Sequence, residues 1–219
     1  MSPFAFYAVV VLITTCIAAV VVQPKKESTP MTSPLRQAVQ CKCGKVQLAI
    51  DSPSALRFVC YSKDYRGYYN SLNELAKEKN KEPNAVLDSW GGVDLTQIYP
   101  SEISVKEGSN LLTPTLIREG SPVRRVYASC CDTPMFDIGS AAALINTDLL
   151  EETNKPAVKF RILGRHALSN DKEKAPPNMS WSVPFGWFWT MPGRIQKDKM
   201  EPTPIDLSSP QILKNFKEG

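Results

Sequence analysis

Histidine is almost missing from this chain: His166 is the single one among 219 residues. In RILGRHALS it follows a Gly-Arg pair, where an imidazole reads as a surface or satisfied residue, so histidine chemistry is not how this protein works. Runs of like charge are missing too. The 26 Lys and Arg and 22 Asp and Glu are interspersed and sum to +4, with no arginine-rich block to track a phosphate backbone. Nucleic acid is therefore not an expected partner. There is no internal repeat and no phosphate-binding glycine fingerprint. The pair Gly91-Gly92 in SWGGVDL is too short for one and reads as a turn. Trp90 beside it reads as a packed core edge, the alternative being the wall of a ligand pocket.

Charge is also absent from one long stretch, FAFYAVVVLITTCIAAVVV at 4–22, which has no internal proline either. As a helix it would reach about 28 Å, close to the hydrocarbon thickness of a bilayer. The expectation is one N-terminal hydrophobic helix acting as an uncleaved single-pass anchor over 1–23. The alternative is a signal cleaved after Ala18 or Ala19, giving a secreted or lumenal protein. Lys25 and Lys26 follow the segment and no basic residue precedes it, which places the rest of the chain on the cytoplasmic side. Residues 24–34 are polar and proline-punctuated and read as a linker.

The remaining text is mainly β. Strand-like stretches recur at 45–50, 55–60, 102–107, 111–117, 122–128 and 157–163, separated by turn residues. Two helical candidates interrupt them, YNSLNELAKEKN at 69–80 and AAALINTDLLEET at 141–153. A domain over 35–168 and a Pro- and Trp-rich extension over 169–219 complete the organisation. The extension carries Trp181, Phe185, Trp187, Phe188 and Trp189 within nine residues. Three placements suit it: packed on the domain, docked on a protein partner, or laid on a membrane surface. Asn178-Met179-Ser180 fits a glycosylation acceptor, which matters only for a lumenal domain.

Of six cysteines, Cys16 falls in the apolar stretch, which leaves Cys41, Cys43, Cys60, Cys130 and Cys131. QCKCGKV puts two thiols two residues apart before Gly44, so both sulfurs can face one ion while the backbone folds behind them. The pair reads as half a zinc site; the alternatives are free thiols, or disulfides with Cys130 and Cys131, which a reducing compartment disfavours. In YASCCDTPMF, adjacent Cys130 and Cys131 can share a metal only if the backbone turns there, and Asp132-Thr133-Pro134 supports a turn. Cys131 is the firmer ligand, since Cys130 also reads as a small buried residue.

Four blocks in order, QCKCGKV, VCYSKDY, LDSWGGVDLTQIYPSEISVKEG and RRVYASCCDTPM, with a looser echo in GRIQKDKMEPTPIDLS, carry a resemblance. The chain resembles the superfamily of the glutathione-dependent formaldehyde-activating enzyme and centromere protein V (GFA-like), and more closely its DUF6151 branch. The resemblance implies a zinc-stabilised GFA-like (Mss4-like) β-fold with one or two short helices, and one structural Zn2+ on Cys41, Cys43, Cys130 and Cys131. In such proteins the block matching VCYSKDY resembles Cys-x-Cys-x-x-Cys, which holds a second, catalytic-type zinc. Here Cys60 survives while Ser62 and Tyr65 take the other two places, and neutral hydroxyls are poor zinc ligands near neutral pH. The expectation is a remnant metal site and a binding or assembly module. The alternative is a carbon–sulfur lyase acting on a glutathione–formaldehyde adduct through a remodelled site, with Asp64 as a replacement ligand.

Overall fold

In the computed structural model, a single strand of 14 residues, β2 (Gln47–Cys60), organises the architecture. The structure describes residues 32–139, 142–169, 171, 174–185, 203–213 and 216–219. All of them belong to the contact unit Met31–Gly219. The hydrophobic stretch at 4–22 and Trp187, Phe188 and Trp189 lie outside them. Among the described residues no helix is long and apolar enough to cross a membrane.

β2 merges the stretches expected at 45–50 and 55–60 across the polar DSPS at 51–54. The merger is a pairing effect. β1 (Ser33–Gln40), which the strand signals missed, runs antiparallel to it with Arg36 opposite Asp51 and Leu35 opposite Ser52, so the ladder carries the chain through a segment with little strand propensity of its own. A register shift between Ser33 and Leu35, opposite Ala55 and Ser52, interrupts this ladder. Before this shift β2 also pairs antiparallel with β4 (Ile103–Glu107), and after it with β3 (Val93–Ile98). Its last residues lie parallel to β9 (Val158–Ile162). One strand thus couples a small sheet to a larger one.

The larger sheet continues from β3 through β8 (Ala143–Asn146), β7 (Thr133–Ile138), β6 (Arg124–Ala128) and β5 (Leu112–Leu116) to the short β10 (Gln211–Ile212). The ladders are antiparallel except β2–β9 and β5–β10, so the ten strands form a mixed sheet. The mainly β expectation holds in this form.

One α-helix is described, α1 (Lys63–Glu78), of 16 residues, longer than the short helices expected and beginning six residues before the stretch at 69–80. Asp64 in its first turn complements the helix dipole, and Tyr68, Tyr69, Leu72 and Ala76 form its buried face. The second candidate, 141–153, is not a helix over its described residues, 142–153. Ala143–Asn146 is β8, followed by 3-10 turns at Thr147–Leu149 and Glu152–Asn154. Ala143 and Ile145 are completely buried, and backbone pairing with β3 and β7 outweighs the helix preference of the alanines.

Two apolar clusters result. Leu35, Val39, Leu48, Ile50, Val126, Met135 and Phe136 form the first, and Cys41 and Cys131 lie in it. Phe58, Tyr68, Tyr69, Leu72, Val93 and Leu95 form the second, between α1 and the sheet, and Cys60 lies there. Trp90 is buried against Val59 and Tyr61, as a core-edge residue should be. The SWGGVDL segment is a turn, with Asp88 accepting from the N–H groups of Trp90 and Gly92. Of the C-terminal extension, Ser180 donates to the Arg161 carbonyl beside β9, and Leu213 and Phe216 join the second cluster. Trp181 is half-buried and Phe185 exposed.

Candidate metal centre

Two tight turns, from distant parts of the chain, bring four sulfurs together. The first joins β1 to β2. Gly44 takes a left-handed φ of 74°, its N–H returns to the Cys41 carbonyl, and the Cys41 N–H donates to the Val46 carbonyl at 3.0 Å. The Val46 N–H also donates to the Cys41 sulfur at 3.3 Å, orienting that side chain inward. Gly108 backs this turn at a φ of 71°, where a Cβ would lie 2.3 Å from the Lys45 carbonyl oxygen, so only glycine fits. The second turn joins β6 to β7. There the N–H groups of Cys131 and Asp132 both donate to the Ala128 carbonyl, and Asp132 is left-handed at φ 57°. This turn is what lets adjacent Cys130 and Cys131 face the same point.

The sulfurs of Cys41, Cys43, Cys130 and Cys131 all lie within 4.8 Å of one another. Cys41 Sγ is 3.6 Å from Cys43 Sγ and 3.8 Å from Cys130 Sγ, while Cys43 and Cys130 are 3.3 Å apart and Cys130 and Cys131 3.9 Å. Zinc–thiolate bonds of about 2.3 Å in a tetrahedron place sulfurs about 3.8 Å apart, so the four side chains fit one ion of that kind. None of these separations is a disulfide, and all five described cysteines are free. With four thiolates the coordination sphere is full.

Two lysines and an asparagine pin the second turn. Asp132, whose side chain is fully buried, is held by Lys79 Nζ at 2.5 Å and Lys81 Nζ at 3.4 Å. Lys81 also donates to the Cys130 carbonyl at 2.8 Å, and Asn84 to the Cys131 carbonyl. Burial pushes the Cys41 and Cys130 thiols up. At Cys43 burial acts in the same direction, but the Lys45 N–H and the neighbouring thiols outweigh it and bring the group down to about 7. Of these three thiols Cys43 therefore ionises most readily, and Cys41 and Cys130 give up their protons when a cation competes for the sulfurs.

The VCYSKDY segment lies elsewhere. Cys60 ends β2, Ser62 is the N-cap position of α1, and Tyr65 stands in its first turn. Cys60 is buried, and burial pushes its thiol up to about 12 against the opposing Ser62 N–H and Arg125 charge. Beside it stands the guanidinium of Arg125, 4.9 Å from the centre of the Tyr65 ring and 5.4 Å from that of Tyr68. Arg125 Nε is 3.9 Å from Asp137 Oδ2, and the two side chains are 3% and 6% exposed, so this is a core ion pair. The Tyr65 hydroxyl hydrogen-bonds Asp137, whose carboxyl burial pushes up to about 6 while Arg125 and Tyr65 oppose. Asp64, the alternative ligand, turns to the surface and forms a two-pronged pair with Arg118. The segment thus supplies one protonated thiol beside an internal cation, and among the described residues no ligand set assembles there.

Sequence reasoning missed Arg125 and Asp137, and also Lys79 and Lys81. A signal did exist for the acid, an isolated charge in the otherwise apolar TPMFDIG. None existed for the pairing, because it depends on the register that sets Arg125 opposite Asp137 in the β6–β7 ladder.

No family model matches the chain, and neither does any curated protein. Among solved structures, it is similar to a Rhodobacter sphaeroides protein determined in a structural genomics programme, with 12% identity and a TM-score of 0.33 over 53% of this chain and 89% of that one. At that level of likeness the function of this chain is read from its own residues.

Proposed function

We propose that this protein is a membrane-anchored, GFA-like domain in which one structural zinc ties the β1–β2 turn to the β6–β7 turn, and that it serves as a binding or assembly module. The observation that carries this reading is the convergence of Cys41, Cys43, Cys130 and Cys131 into a closed set of four sulfurs. Zinc with four thiolates has no open position for a substrate, so such a site contributes to folding and not to turnover. The state of the VCYSKDY segment supports the same reading, because Arg125, paired with Asp137, sets its charge beside Cys60 where a second metal would stand. Anchoring rests on the uncharged stretch at 4–22 and Lys25 and Lys26 behind it, which put the domain on the cytoplasmic side. A protein partner bound through the Trp-rich tail is part of the same proposal, on the strength of the aromatic density of that stretch in the sequence.

The deciding measurement is metal per chain in protein purified without chelators. One zinc is the expected value. The lyase reading requires a metal or an ionised thiol at Cys60. Two zinc ions per chain, or turnover of a glutathione–formaldehyde adduct that disappears in Cys60→Ala, would replace the module with the enzyme.

A further inference from the structure

We infer that Cys43 and Cys130 form a peroxide-sensitive pair in which a disulfide can take the place of the metal as the link between the two turns. The inference rests on the zinc reading above and takes it further, from a static staple to one that can be exchanged. The four sulfurs are not equivalent. Cys41 and Cys131 are buried, Cys130 is half-buried, and Cys43 alone is exposed. Cys43 and Cys130 are also the closest pair of those described, at 3.3 Å. A depression of about 340 Å³ lined by Lys42, Lys81 and Asn84 opens onto these two cysteines and Cys131, giving a small oxidant access from one side.

The other pairings are poorer. Cys41 with Cys43 would close a ring across a single intervening residue, and Cys130 with Cys131 across none, so both strain the bridge. Cys41 lies 3.8 Å from Cys130 and is shielded from solvent. A bond between Cys43 and Cys130 joins the same two turns that the metal joins. Losing the ion through this route therefore leaves the hairpins connected.

Hydrogen peroxide is the oxidant proposed. The Cys43 thiolate attacks one peroxide oxygen, the O–O bond breaks, hydroxide leaves, and Cys43 becomes a sulfenic acid. The Cys130 thiolate then attacks the Cys43 sulfur, expelling a second hydroxide and forming the S–S bond. Two thiolates lose two electrons and one peroxide gains them. With Cys43 and Cys130 joined, only Cys41 and Cys131 would remain as ligands, too few to hold zinc. A dithiol reductant and fresh zinc restore the first state.

The test uses the full chain in detergent, loaded with zinc and treated with hydrogen peroxide, with released zinc followed by a coloured chelator and disulfides mapped by mass spectrometry. The expected result is loss of the bound zinc together with a Cys43–Cys130 bridge, unchanged far-ultraviolet circular dichroism, and recovery with dithiothreitol and zinc. In Cys43→His, which keeps a zinc ligand but removes the thiol, release should slow at least tenfold. A bridge that instead contains Cys41, or a Cys43→His variant that releases zinc at the parent rate, overturns the exchange. Zinc bound before peroxide and retained after it overturns the exchange while leaving the zinc reading intact. A chain that holds no zinc beforehand overturns both.

Discussion

Replacing Arg125 by methionine tests the account of the second core, because it removes one partner of a buried ion pair and keeps most of its volume. In the parent, Asp137 is 4% exposed, and burial raises its carboxyl from an ordinary 3.8 to about 6 even with Arg125 and Tyr65 opposing that rise. The difference corresponds to about 3 kcal/mol of preference for the neutral carboxyl in the folded state. Without the guanidinium the carboxyl rises further, and at pH 7.5 the folded chain must hold either an unpaired buried charge or a proton taken up at a cost. Breaking a buried pair in this way costs about 3–5 kcal/mol. A group raised on folding binds more protons in the folded state, so its contribution falls as pH rises between the unfolded and folded values. The deficit of Arg125→Met relative to the parent should accordingly be largest at pH 7.5 and smaller at pH 6. Adding Asp137→Asn should recover most of it, since the uncompensated charge is then gone. Urea unfolding of the zinc-loaded chains at both pH values measures all three. A deficit below about 1 kcal/mol, or one that Asp137→Asn leaves unchanged, would refute the claim that Arg125 neutralises Asp137 in the core.

Gly108→Ala should cost about 2 kcal/mol or more, since a left-handed φ is added to a 2.3 Å approach to the Lys45 carbonyl, whereas Gly44→Ala, with its nearest neighbour 3.8 Å away, should cost about 1 kcal/mol. Equal losses in urea melts would show that Gly108 does not back the metal-binding turn. Cys60→Ala should lower stability by about 1–2 kcal/mol through lost packing while leaving zinc per chain unchanged, as read by elemental analysis; loss of zinc would place Cys60 in the metal's coordination. Acidification should release zinc, because the raised thiols of Cys41 and Cys130 take back protons as pH falls, and a chelator titration from pH 8 to pH 5 reads the affinity. An affinity that is flat over that range would argue against thiolate ligation.

The local text was enough for the features whose cause is local. QCKCGKV specified its own turn, because two thiols, a glycine and the short spacing leave the backbone few ways to go, and CCDTP did the same at the opposite hairpin. Strand-like stretches bounded by turn residues marked 102–107, 111–117, 122–128 and 157–163, and the apolar spacing of Leu72 and Ala76 indicated a helix. Tertiary structure decided the rest. β1 and β3 became strands, and 51–54 became the middle of one, because neighbouring backbones offered a ladder. Ala143 gave up a helix for the same reason, at a position where a strand fills the gap between β3 and β7. Sequence could mark VCYSKDY as short of ligands, but not say what replaced them. Arg125 and Asp137 lie more than sixty residues beyond Cys60, and the pair forms behind it because sheet register sets the two side chains together in the core, where a charge must find an opposite charge.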